Sequence, residues 1–429
     1  MKILIVAYKF GTEKELGEHL GTYHYFIEIA RRLVASGHEI AVIAPWLSFS
    51  KKGSGGFDGV KVIRYYPPLW HKIWAFPFNR LLRFSYIWAT QRQVLKFNKK
   101  EKPDAIFVWQ ARETGYAVAQ LKNKIKTPFI FRQITTWHWH FERGPKEIFG
   151  QRSWYKAIKN LGLGRLVDYL LNFLLDQKTQ KRYAREIYQK ADKVVFLSQV
   201  AAAEGLDMGL DNDKVDTLPV SIETDLFQPL NKKNDLRQKL GINGDKVILF
   251  IGRINFAEKG IGYLLEALPS IITEIPGVNL VIVGSGGETP RMMAMIKDLQ
   301  IEKNVQLVGS KSFYQLIDYL NAADVFATPS VWMEAFGQVT IEAMACGLPV
   351  VTSDAGASPE ININNETGFI VPAKNKEALA EALTQILKDD QLAERFGREG
   401  RQRVLENYTY EVVIEKLLAI IQSIKNKTR

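Results

Sequence analysis

The 429 residues include a single cysteine, Cys346, so no internal disulfide can form and a small disulfide-stapled scaffold is excluded. That usage fits a reducing compartment. No run of about 18 apolar residues occurs, because the longest candidates are broken by Arg80, Arg83, Arg165, Asp168 and Asp176, and no spanning helix is expected. The opening MKILIVAYKFG has only about five apolar residues in succession and no small-residue cleavage site, which predicts a buried first strand, no signal peptide and a cytoplasmic chain. There is no Gly-Lys pair, which removes a P-loop phosphotransferase. The glycine cluster GSGGET has Thr289 in place of a third glycine and lies in the second half of the chain, which disfavours a dinucleotide oxidoreductase. The one Asp-x-Asp, Asp211-Asn212-Asp213, reads as a solvated turn, so no metal-holding carboxylate pair is expected.

What is present is the composition of a globular protein of two or three domains, with 46% hydrophobic residues. The net charge of +11 is unevenly spread: residues 1–215 hold 35 Lys and Arg against 19 Asp and Glu, and residues 216–429 hold 22 against 27. Short β-branched runs alternate with amphipathic stretches, as in ILIVA, YHYFIEIARRLVASG and EIAVIAP, followed by DAIFVW, PFIFRQ and KVVFLS. That order predicts an α/β parallel sheet covered by helices on both faces. The pattern breaks in TLPVSIETDLFQP, read as a linker, and a second series runs from KVILFIGR through NLVIVGSG, VQLVG, DVFATPS and LPVVTS to GFIVP. We expect two doubly wound, Rossmann-like domains, 1–217 and 218–409, facing a cleft at the carboxyl ends of their strands, with a terminal helix at about 410–429 returning to the first.

Two segments carry chemistry. In GRINFAEKG, residues 252–260, glycines bracket a loop with Arg253 and Lys259 six apart; the guanidinium can fork two oxygens of a diphosphate and the ammonium adds a point charge. In SVWMEAFGQVTIEAMACGLPVV, Glu334 precedes Phe336 and Gly337, and Glu342 lies eight residues on. A fully helical spacing would separate the two carboxylates by roughly 12 Å, too far for a close dyad, so their roles differ. A loop carboxylate can accept sugar hydroxyls, helix-start N–H groups can hold phosphate, and an inward carboxylate can grip a ribose diol.

In this order GRxxxxxKG, VGSGG, VQLVG and EAFGxxxxEAMACGxPVV resemble the retaining glycosyltransferases of family 4, which have the GT-B fold; Glu334 and Glu342 match its E-x7-E signature. The resemblance implies that Gly252, Arg253 and Lys259 bind the donor diphosphate and that Glu342 binds the ribose. It also implies that Glu334, with Ala335, Phe336 and Gly337, meets donor sugar and phosphate, and that Val308 and Gly309 stand beside the base. In the first half LGTYHYFIEIARRLVASGHEIAVIAP resembles the family's donor-side segment, with Leu20 at a common glycine and Gly21 kept. The family's acceptor-side histidine falls at Ile134, and His138 or His140 lies close after it.

These assignments imply transfer of a sugar from a nucleotide-diphosphate sugar to a glycan or lipid-linked acceptor, with retention. Arg253, Lys259, Glu334 and His138 are the candidate catalytic groups. No cofactor and no metal are expected, because Arg253 and Lys259 supply the positive charge a leaving phosphate needs. The two histidines of WHWH, even with Glu142, make an incomplete metal set. Aromatics interleaved with Lys72, Arg80 and Arg83 in residues 65–90 fit either a contact with an anionic membrane surface, which would make the chain peripheral there, or a plain loop over the core. The alternative from another class is a basic nonenzymatic nucleic-acid or surface-binding protein. It leaves Arg253, Lys259 and the two glutamates unexplained, and no nucleic-acid partner is expected.

Overall fold

A computed structural model describes residues 1–10, 20–46, 58–67, 79–109, 112–135, 157–163 and 177–428. The chain divides into two compact units: residues 1–197, 201–218 and 416–429 form the first, and residues 198–200 and 219–415 the second.

The first unit holds seven strands, β1 (Lys2–Ala7), β2 (Glu39–Pro45), β3 (Lys61–Tyr65), β4 (Ala105–Trp109), β5 (Phe129–Arg132), β6 (Lys193–Phe196) and β7 (Val215–Thr217). They form one parallel sheet in the order β3-β2-β1-β4-β5-β6-β7. Strands β1, β4 and β5 are buried along almost their whole length, which is why ILIVA and AIFVW read as continuous apolar runs. Edge strands β3 and β7 did not stand out in sequence because their residues are mostly half-buried and mixed in polarity.

The aromatic region shows no helical period in sequence, yet Asn79–Glu101 is a 23-residue helix. Arg83, Ser85, Tyr86, Ile87, Ala89 and Thr90 are all buried, and a helix covered on most sides leaves little amphipathic signal. This corrects part of the membrane expectation, because Arg83 faces inward and pairs with the buried Glu113 at 3.6 Å. Lys72 and the side chain of Arg80 lie outside the described residues.

The second unit repeats the plan with β8 (Lys246–Ile251), β9 (Val278–Val283), β10 (Val305–Gly309), β11 (Val325–Thr328), β12 (Val350–Ser353) and β13 (Gly368–Val371). Its parallel order is β10-β9-β8-β11-β12-β13. The helices Ile261–Glu274 and Lys376–Lys388 bury Leu264, Leu265, Leu268, Leu383 and Ile386 against Ile248, Phe250, Leu280 and Ile282. In each unit the strand order reverses beside the central strand, between β1 and β4 and between β8 and β11, and such a switch point opens a crevice at the carboxyl ends.

The unit boundaries differ slightly from the expected 217/218 division. Residues 198–200 join the second unit because Ser198 Oγ donates to Ala335 O (2.9 Å) and the N–H groups of Gln199 and Val200 donate to the Glu360 carboxylate (2.8 Å each). The terminal helix Tyr410–Thr428 changes unit at Lys416; beyond that point Lys425 Nζ meets Asp104 Oδ1 at 2.7 Å.

Candidate active site

The predicted site residues of the second half gather at the carboxyl ends of β8, β10 and β11 and on the loop after β11. At the end of β8 the ladder to β9 continues past the strand: Gly252 N donates to Val283 O (3.0 Å) and Ile254 N to Ser285 O (3.1 Å). The buried Ile254 anchors the loop, and the one-turn helix Phe256–Lys259 is capped by Asn255, whose side chain accepts from Glu258 N at 3.0 Å. Glu288 accepts from Phe256 N at 2.9 Å. Gly260 ends the turn with φ +64°, and a Cβ there would stand 1.9 Å from the carbonyl oxygen of Pro329, so only glycine lets the Lys259 loop lie against the end of β11. Arg253 remains exposed beside Gly252.

Lys259 folds back over the start of its own loop. Its Cγ lies 4.0 Å from where a Gly252 Cβ would be, and its Nζ meets Glu334 Oε1 at 2.5 Å. The second oxygen of Glu334 accepts from Ser330 Oγ at 3.2 Å, and Ser330 O accepts from Ser353 Oγ, which ties the carboxylate to the ends of β11 and β12. Glu334 O also accepts from Ala357 N at 2.9 Å. The ammonium and carboxylate are each about a quarter exposed (27%), so this is a screened pair that an incoming anion can open.

Three residues on, Gly337 precedes the helix Gln338–Ala345, and Phe336 is buried edge-on against Tyr408 (ring centroids 5.8 Å apart). Glu342 sits on this helix with only 3% of its surface exposed. Gln338, one turn earlier, donates to Glu342 Oε1 at 2.9 Å, while Oε2 has no hydrogen-bond partner. Burial pushes the Glu342 carboxyl up to about 7, the Gln338 hydrogen bond pulling weakly the other way. A buried acceptor with an unmet lone pair is expensive, and a hydroxyl donor from a ligand would satisfy it.

Val308 and Gly309 end β10. Gly309 O accepts from Gly284 N (3.0 Å), and Ser285 and Ser310 share a hydroxyl hydrogen bond of 2.7 Å, so the turns after β9 and β10 are joined. Gly21 lies in the first turns of the helix Leu20–Ala35 of the first unit. His138, His140 and Glu142 lie outside the described residues. Sequence reasoning missed Gln338 and Ser330, each four residues before a candidate glutamate. For Gln338 the i, i+4 relation on one helix face was the available signal.

Two family models cover nearly the whole chain: Glycosyltransferase Family 4 matches residues 21–226, and Glycosyl transferases group 1 matches residues 232–403. The chain belongs to glycosyltransferase family 4. Among its relatives is a GDP-mannose-dependent monoacylated alpha-(1-6)-phosphatidylinositol monomannoside mannosyltransferase of Corynebacterium glutamicum. It is 28% identical over 247 residues, 56% of this chain and 64% of the relative. A phosphatidyl-myo-inositol mannosyltransferase of Mycobacterium leprae is 34% identical over 179 residues, 42% of this chain and 47% of the relative. The chain thus spans about half to two thirds of the length of these curated relatives. Sucrose-phosphate synthase from Thermosynechococcus elongatus superimposes with a TM-score of 0.73 at 22% identity over 99% of this family 4 chain and 98% of that one, a likeness of fold. The fold is GT-B. Among the described residues no helix is long and apolar enough to cross a membrane, and no three His, Cys, Asp or Glu side chains form a group able to hold a metal.

Proposed function

We propose that the protein transfers a hexosyl group from a nucleotide-diphosphate sugar to a glycan or lipid-linked acceptor, with retention of anomeric configuration and without a metal ion. The observation that carries the reading is the Lys259–Glu334 pair beside the exposed Arg253 at the switch point of the second unit. Breaking the bond from the sugar to the diphosphate leaves negative charge on phosphate while the anomeric carbon becomes cationic. Fixed cations aimed at that phosphate lower the barrier without reorganising during the reaction, and losing one such donor typically costs about 100- to 1,000-fold in turnover. Donor entry exchanges Glu334 for phosphate as the partner of Lys259, which releases the carboxylate toward the sugar. The N–H groups opening the helix at Gly337 face the same anion. Glu342 takes the ribose diol, giving its unsatisfied oxygen a donor, and Val308 and Gly309 border the base.

His138 is assigned to the acceptor side, with His140 as its rival; separate alanine substitutions compared by turnover distinguish them. The two mannosyltransferase relatives, one GDP-mannose-dependent and both named for a phosphatidylinositol acceptor, support a nucleotide-sugar donor and a lipid-linked acceptor. They also support action at an anionic lipid surface as a peripheral protein. None of these relatives is named for nucleic-acid binding.

The test is hydrolysis of a panel of nucleotide sugars with acceptors omitted, by the parent and by Lys259→Ala. One donor should be hydrolysed by the parent and about 100- to 1,000-fold more slowly by the variant. Near-normal turnover in a folded Lys259→Ala removes the phosphate role.

A further inference from the structure

The solvent side of the helix Asn79–Glu101 carries a feature that the transfer reaction leaves unused. Its exposed residues are Phe84, Trp88, Arg92, Lys96, Lys99 and Lys100, recurring at four-residue steps, so they form one stripe about 24 Å long at 1.5 Å per residue. Two large aromatics occupy one end, with Phe84 68% and Trp88 45% exposed. Arg92 follows, its guanidinium 5.6 Å from the Trp88 ring centre, and three lysines complete the other end. Among the described residues of the helix no acidic side chain interrupts the stripe. Glu101 at its end is turned to Lys2 and Lys61, each at 3.1 Å. The opposite side is locked into the unit by Tyr86 and Thr90, which hydrogen-bond to Thr114 and Tyr65.

We propose that this stripe is the docking surface for an anionic bilayer, with Phe84 and Trp88 entering the boundary between headgroups and acyl chains and the four cations resting on lipid phosphates. The inference rests on the lipid-surface reading above for its partner and not on the transfer reaction. Exposed rings of this size lose water contact only where an apolar layer receives them, while a row of cations needs fixed negative charge beside that layer. A bilayer of acidic lipids offers both at the right depth, and long basic side chains reach its headgroups from a helix lying in the interface. A second copy of this chain would bring like charge to the stripe, and a nucleic acid offers its phosphates no apolar layer for Phe84.

The test is co-sedimentation of the full chain, without donor or acceptor, with vesicles of phosphatidylcholine alone or with phosphatidylglycerol as one lipid in three, at low salt. The parent should pellet with the acidic vesicles only. Arg92→Gln/Lys96→Gln/Lys99→Gln/Lys100→Gln should lose binding by at least 100-fold, at about fivefold per cation, and Phe84→Ser/Trp88→Ser by at least tenfold. Lys181→Gln/Arg182→Gln/Arg185→Gln, on the exposed side of the helix Gln177–Lys190, should bind like the parent. If the parent does not pellet, the lipid-surface reading fails with it. If the parent pellets and both stripe variants match it, only the helix assignment is overturned. The assignment is equally overturned if the stripe variants abolish a dimer or the retention of duplex DNA while vesicle binding stays unchanged.

Discussion

Replacing Glu342 by Gln isolates the cost of holding a carboxylate ready for a ligand. In the folded protein the Glu342 carboxyl titrates at about 7, against an ordinary value of 4.5, because burial opposes its ionisation. The folded state therefore holds a proton that the unfolded chain releases between pH 4.5 and 7. Over that window the native state binds more protons, so the contribution of Glu342 to stability falls as pH rises, the reverse of an ion-paired carboxylate. The loss is complete above the folded value, and a displacement of this size corresponds to about 3 kcal/mol at most. Gln has the same shape and can still accept from Gln338 Nε2, but it cannot ionise. Urea unfolding of parent and variant at matched pH measures the difference, in which everything the two chains share cancels. Glu342→Gln should be equal to the parent, or about 1 kcal/mol less stable, at pH 5, since its amide N–H must find an acceptor. It should gain steadily on the parent to pH 8 and should bind nucleotide sugar far more weakly at every pH. A stability difference independent of pH between 5 and 8 would refute the reasoning, because Glu342 would then ionise at no cost.

Other expectations follow from the same geometry. Gly260→Ala forces a side chain into a left-handed position 1.9 Å from Pro329 O, so urea denaturation should reveal a loss above about 1 kcal/mol together with lost turnover. A variant as stable and active as the parent means the loop does not need that contact. Glu113→Gln removes one half of the buried pair with Arg83, and a loss of about 3–5 kcal/mol is expected in the same assay; a loss under 1 kcal/mol means the pair is not what holds the helix Asn79–Glu101 to the helix Arg112–Ala119. Lys259→Ala should leave the unfolding free energy within about 1 kcal/mol of the parent, since its pair with Glu334 is partly exposed. A larger loss would make Lys259 structural.

Much of the fold was legible because buried parallel strands read as unbroken apolar runs. KVILFI and NLVIV lie in strands where the sequence put them. The helix Asn79–Glu101 escaped because the covering of its sides by Arg83, Tyr86 and Thr90 depends on partners distant in sequence. The same limit applied to the site. Spacing and family resemblance singled out Arg253, Lys259, Glu334 and Glu342, but that Lys259 would rest on Glu334 requires the ends of β8 and β11 to be neighbours. That adjacency is set by the strand order, in which β11 skips β9 and β10 to lie beside β8. Gln338 was within reach of sequence reasoning, since it stands one helical turn before Glu342.

The central claim is that Arg253 and Lys259 hold a diphosphate, and calorimetric titration of nucleosides against nucleoside diphosphates tests it most directly. The parent should prefer the diphosphate of its cognate base over the bare nucleoside by at least about 100-fold, since charge-assisted bonds to phosphate contribute about 1.5–3 kcal/mol each. In Arg253→Ala/Lys259→Ala that preference should collapse to within a few-fold while nucleoside affinity is kept. An undiminished preference in the folded double variant would contradict the account.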